Sequence, residues 1–269
     1  MRSSLSLAAA LLLAGCATTT ARQQTSAPAL PLAVETYGAL RPAQVRNLVI
    51  VLHDDLAPGT PVDYSAFAAR AAATVPAGAA VVLLRPGYAD ANGHMSGGVR
   101  ARGIGDGYSA EQIRLVGESV QALAARYRNA RTILVGDGGG AVLAANVAAM
   151  RPSLVGSMLL VGCPCALPEW RKHMARRNPG FAEEVDSLDP LQTVGGIAPS
   201  ARIALVSGGD KARVPARIAR LYAEALTLRG IAVEYRVVEG DGADLLSNNE
   251  VTQLLARLAD SAAKTEPRT

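Results

Sequence analysis

Runs of aliphatic residues recur through this chain with helical patterns between them, and no other feature restricts the fold as much. The runs NLVIVLH (47–53) and AAVVLLR (79–85) are continuous rather than alternating, as strands buried on both faces are. Residues 109–127 place apolar side chains near a 3.6-residue spacing behind Ser109, a candidate cap. TILVG (132–136) reads as a further strand, and GGAVLAANVAAMR (139–151) as a helix that packs closely through small residues. Strands at 154–162, 202–208 and 233–240, a helix over 215–229 and a final helix over 247–263 complete the series. The alternation predicts an α/β domain, with a mostly parallel central sheet and helices on both faces. Ligands in such sheets bind beyond the carboxyl ends of the strands. The loops after residues 53, 85, 136, 162, 208 and 240 are therefore where chemistry is expected.

The first residues read as an export signal. Arg2 precedes LSLAAALLLAGC (5–16), an apolar stretch too short to span a bilayer. It ends in Leu13-Ala14-Gly15-Cys16, which resembles the bacterial lipobox. The resemblance implies that residues 1–15 are a signal peptide and that Cys16 is lipidated as the mature N-terminus. Residues 16–33 are then a Pro/Thr/Ala-rich tether, and 34–269 the domain. Ala17 stands where enteric lipoproteins retained in the inner membrane carry aspartate. The expected location is the bacterial cell envelope, anchored to a membrane through Cys16, with the periplasmic side of the outer membrane favoured over the inner membrane.

A length of 269 residues suits one sizeable α/β domain with short extensions. The net charge of +4 is spread along the chain and aromatic residues make up only 4%, which argues against a nucleic-acid partner. Cys163 and Cys165, in VGCPCALP, are two positions apart, a spacing that strains a disulfide. His53, His94 and His173 do not cluster with them, so no metal site is predicted. The cysteines are expected to be structural, at a strand end, with redox activity as the alternative.

Four loop motifs, VLHDD, VGDGGGA, VSGGDKARVP and VEGDGADLL, follow strand ends in an order similar to that of the α/β-hydrolase superfamily of serine esterases and peptidases. The resemblance covers roughly residues 45–260. It implies that His53, Asp54 and Asp55 form the oxyanion loop, and that Gly136 and Gly140 flank a nucleophile elbow whose serine position is Gly138. It also implies that Asp210 holds the triad-acid position and that Ala243, after Gly242, holds the base position. Tyr88, in RPGYADANGHMSGG, is either a pocket wall or a residue packed beneath its own loop. Residues 164–181 look like a small cap insertion, with Trp170 packing it to the body rather than contacting a ligand, and with Arg171, Lys172, Arg176 and Arg177 solvated or, in a lipid-anchored protein, touching anionic lipid headgroups.

The same motifs argue against the reaction. Glycine at 138 offers no nucleophile, alanine at 243 offers no base, and no histidine follows His173. Glycine adopts the positive φ of an elbow without a Cβ penalty. A carboxylate at Asp54 or Asp55 would oppose a developing oxyanion. The backbone N–H groups from Gly139 onward suit an anion, a role for which Asp137 competes as a helix cap. Asp137 would serve as a carboxylate nucleophile only after a register shift. Gly136-x-Gly138-x-x-Ala141 matches a loose dinucleotide fingerprint, but it comes after at least two strands and lacks an acidic residue at the next strand end. No cofactor is expected. The leading expectation is an envelope lipoprotein without serine-hydrolase activity, a pseudoenzyme that binds a small molecule or an envelope protein. The alternative is an active ester or peptide hydrolase using non-standard catalytic residues.

Overall fold

A computed structural model describes residues 30–263; the signal sequence, Cys16 and nearly all of the tether lie outside the described residues. Among the described residues there are seven strands: β1 (Val34–Tyr37), β2 (Asn47–Leu52), β3 (Gly78–Leu83), β4 (Arg131–Asp137), β5 (Ser157–Val161), β6 (Arg202–Ser207) and β7 (Ala232–Val237). They form one sheet in the order β1-β3-β2-β4-β5-β6-β7. Every pairing is parallel except β1 with β3. The edge strand β1 was not expected from sequence, because VETY is too short and too polar to register as an aliphatic run.

Eight α-helices are described: α1 (Ser65–Thr74), α2 (Ala110–Arg126), α3 (Gly139–Met150), α4 (Leu167–Met174), α5 (Pro190–Thr193), α6 (Ala216–Leu228), α7 (Ala243–Ser247) and α8 (Asn249–Ala263). Phe67 of α1 and Leu254 and Leu255 of α8 share one core with Val51, Val82 and Val206 of the sheet. Val116 of α2, Leu143 of α3 and Tyr222 of α6 share the other with Ile50, Leu134 and Leu205. Neighbouring strand residues thus feed opposite cores, which is why the strand sequences are continuously aliphatic. Ser109 caps α2 by accepting the Gln112 N–H at 3.4 Å. Helix α3 lies so close to β2 that a Cβ at Gly140 would run into the carbonyls of Leu52 and His53.

Two expectations are corrected. Cys163 and Cys165, both fully buried, form a disulfide. The turn at Pro164 brings their Cα atoms to 5.1 Å, within the span of disulfides, so the spacing does not forbid the bond. Arg171 is buried rather than solvated and donates to the carbonyls of Ile104 and Glu183, while Lys172, Arg176 and Arg177 are exposed. Beside it, Trp170 stacks edge-on against Phe181 at 5.2 Å and donates its indole N–H to the Arg213 carbonyl at 3.2 Å. Among the described residues no helix is long and apolar enough to cross a membrane.

The strand order reverses at β2, with β3 on one side and β4 on the other. The loops leaving β2 and β4 diverge there and open the crevice where ligands of doubly wound sheets bind. Asp54 and Gly138 belong to these two loops.

Candidate functional site

Strand β4 ends at Asp137, Gly138 turns the chain with φ +49° and ψ −113°, and α3 starts at Gly139. The positive φ is a conformation that glycine adopts without strain. The Gly138 N–H donates to the Val161 carbonyl of β5 at 2.9 Å, which pins the turn to the sheet. This is a strand-to-helix elbow, and its apex carries no side chain.

The space above the apex is filled by Asp54. Its carboxylate accepts from the Gly139 N–H at 2.7 Å and from the Asp55 N–H at 2.7 Å, and it forms an ion pair with the Arg213 guanidinium. A Cβ built on Gly138 would overlap this carboxylate. Asp54 therefore caps α3, with a negative charge at the positive end of the helix dipole. The sequence had put Asp137 forward for that role. Asp137 instead accepts from the Tyr64 hydroxyl at 2.7 Å, and the Tyr64 oxygen in turn accepts the Asp54 N–H at 3.0 Å. Burial, then the neighbouring Asp54 charge, push Asp137 up to about 8. At neutral pH it is a protonated acid. Burial raises Asp54 as well, with Arg213 pulling the other way.

Beneath the elbow lies a buried polar network. His53 is fully buried; burial and the Arg85 guanidinium push it down to about 3. Its Nδ1 donates to the Asp54 carbonyl at 2.8 Å and its Nε2 accepts the Arg85 N–H at 3.0 Å, so neither nitrogen is available as a base. Asp55 pairs with Arg85 at 2.8 Å and accepts from the hydroxyls of Tyr108 at 2.8 Å and Tyr88 at 3.3 Å. Burial alone would raise Asp55, but Arg85 and Tyr108 hold it below the usual carboxylate range. Tyr88 is 1% exposed and packs edge-on against His53 at 4.6 Å, beneath its own loop.

The structure thus gathers Gly138, Gly139, Asp137, Asp54, Asp55, His53 and Tyr88 in one place. Asp210 lies in the loop after β6, exposed and without a hydrogen bond or ion pair among the described residues. The residue of that loop that reaches the elbow is Arg213, whose N–H is held by the Asp241 carboxylate at 2.8 Å. Ala243 opens α7 directly after Gly242, at the end of the β7 loop. Sequence reasoning missed Arg213, Tyr64, Arg85 and Tyr108. Arg85 closes a predicted strand and Arg213 lies within a quoted motif, but nothing in the sequence marks their partners. Among the described residues no group of three or more His, Cys, Asp or Glu side chains is placed to hold a metal ion.

No protein-family model matches the chain, and no curated protein matches its sequence. Solved structures do. An acetyl ester-xyloside bifunctional hydrolase from Caldicellulosiruptor lactoaceticus superposes with a TM-score of 0.60 at 15% identity, covering 86% of this chain and 88% of its own. An esterase from Pyrococcus furiosus gives 0.59 at 13% identity, with coverage of 81% and 82%. A carboxylesterase from Lactobacillus plantarum gives 0.57 at 13%, with coverage of 87% and 91%. The chain has the α/β-hydrolase fold. At these identities the likeness carries the fold alone. Within this α/β-hydrolase fold, Tyr64 both bonds Asp137 and lines a cleft of about 430 Å³ with Leu56, Phe67 and Leu246.

Proposed function

We propose that this chain is an envelope lipoprotein, anchored through Cys16, whose esterase-like fold has given up serine-hydrolase chemistry for a binding or accessory role. In this reading Gly138 and Ala243 stand in the nucleophile and base positions, and Asp210 in the acid position. One observation carries the proposal: the Asp54 carboxylate fills the space above the elbow and takes the Gly139 N–H. An acyl-transfer site needs that N–H for its oxyanion. An internal carboxylate, neutralised by Arg213, occupies it instead. The cleft at Tyr64 is the place for a small-molecule ligand, and an envelope protein is the other partner class.

The test is reconstruction. Gly138→Ser with Ala243→His stays inert towards aryl esters because Asp54 blocks the serine, whereas adding Asp54→Gly to the pair yields measurable esterase activity. A folded triple variant that remains inert would show that these positions do not stand in for a triad.

A second reading, of an active hydrolase using other residues, is favoured by one feature. Asp137 is a protonated acid at neutral pH beside the Asp54 carboxylate, a pairing that acid–base chemistry uses. Ester or peptide turnover by the unaltered protein, lost in Asp137→Asn, would establish it.

A further inference from the structure

Arginines that are scattered in the sequence come together at the amino end of the sheet, opposite the elbow. Arg46 precedes β2, Arg128 lies in the turn before β4, and Arg131 and Arg202 open β4 and β6. The strand register aligns them, with Asn47 beside Arg131 and Ser157 beside Arg202. Two adjoining clefts run across these strand ends. One, of about 600 Å³, is lined by Arg128, Arg131, Arg202, Thr132, Ser157 and Ser200. The other, of about 500 Å³, shares Arg128 and Arg131 and adds Arg46 and Asn129. Among the described residues, the one acidic residue lining either is Asp260. Among the described residues Arg46, Arg128 and Arg202 have no carboxylate partner.

Arg46, Arg128 and Arg202, with few counter-charges beside them among the described residues, repel one another, and an anion spanning them relieves that repulsion. Strands lie about 4.8 Å apart, so the arginines from β2 to β6 extend over roughly 14 Å. A row of that length suits several linked charges better than a single ion. A groove does not follow a flat bilayer. The chain also enters the domain at the other end of the sheet, where the Leu84 N–H donates to the Ala33 carbonyl at 3.0 Å. Among the described residues no aromatic side chain lines either cleft, so nucleic-acid bases have nothing to stack on. The exposed hydroxyls of Ser153 and Ser200 suit sugar hydroxyls. Guanidinium groups bind carboxylates through paired hydrogen bonds. We infer that this groove binds an acidic glycan. The inference is independent of what the elbow does.

The test is binding of the full chain, purified in detergent, to polygalacturonate. Oligothymidylate, phosphatidylglycerol vesicles and neutral dextran serve as competing probes. The unaltered protein binds polygalacturonate and not dextran. Affinity falls about tenfold or more in Arg128→Ala/Arg202→Ala, and falls again as salt rises from about 50 to about 300 mM. Arg220→Ala, on the exposed surface of α6, leaves binding unchanged, and both variants keep the thermal midpoint of the parent. Failure of the unaltered protein to bind polygalacturonate overturns the inference. So does binding that ignores the double variant, or tighter binding of oligothymidylate or the vesicles through the same arginines.

Discussion

At Gly138 the cost of adding a side chain has two parts. A Cβ at φ +49° and ψ −113° strains the backbone by roughly 1–3 kcal/mol, and it also collides with the Asp54 carboxylate. Gly138→Ala is therefore expected to destabilise the protein by more than about 3 kcal/mol, and by only the backbone part in an Asp54→Gly background. Equal costs in the two backgrounds, measured by denaturant unfolding, would mean that Asp54 does not sit over the apex. Asp137 makes a separate prediction about pH. Its folded value of about 8 lies above the unfolded carboxylate range, so between about pH 4 and pH 8 the folded state holds a proton that the unfolded state has lost. Its contribution to stability is complete below that window and is lost as the pH rises through it. Asp137→Asn still accepts from Tyr64 but cannot ionise. It is expected to match the parent near pH 4 and to exceed it by roughly a few kcal/mol near pH 8. An unchanged pH profile would place the raised acid elsewhere.

Three loops meet beneath the elbow, and one ion pair holds them. Asp55 follows β2, Arg85 follows β3 and Tyr108 precedes α2; the Asp55 and Arg85 side chains are 6% and 2% exposed, and Tyr108 is buried. Arg85→Met leaves Asp55 buried and unpaired and is expected to cost about 3–5 kcal/mol. Replacing Tyr108 with Phe removes one hydrogen bond to a charge and costs about 1.5–3 kcal/mol. If Arg85→Met unfolds at the parent temperature, the pair does not hold these loops. Legibility differed sharply between elements. The central strands announced themselves because burial on both faces demands uninterrupted aliphatic residues. Helix α1, SAFAARAAAT, was missed because an alanine-rich segment offers little contrast between its faces. The elbow was legible from motif order, and glycine at its apex from a single residue type. What fills it was not, since Asp54 and Arg213 are 159 positions apart and only the tertiary fold brings them together.

The whole molecule separates its two polar regions by the length of the sheet. The carboxyl end holds a self-occupied elbow and the amino end holds the arginine groove. The groove escaped the sequence reading because Arg46, the Arg128 and Arg131 pair, and Arg202 lie at three strand starts far apart along the chain, and only a parallel register sets those starts side by side. The charge was read as scattered, which it is in sequence and is not in space. The central claim is that the elbow is closed by Asp54 and does no ester hydrolysis. It is tested most directly by turnover of an aryl acetate by the purified, unaltered protein, alongside Asp54→Asn and Asp137→Asn. The account predicts rates no greater than solvent background in all three. Protein-dependent turnover that either substitution abolishes would contradict it.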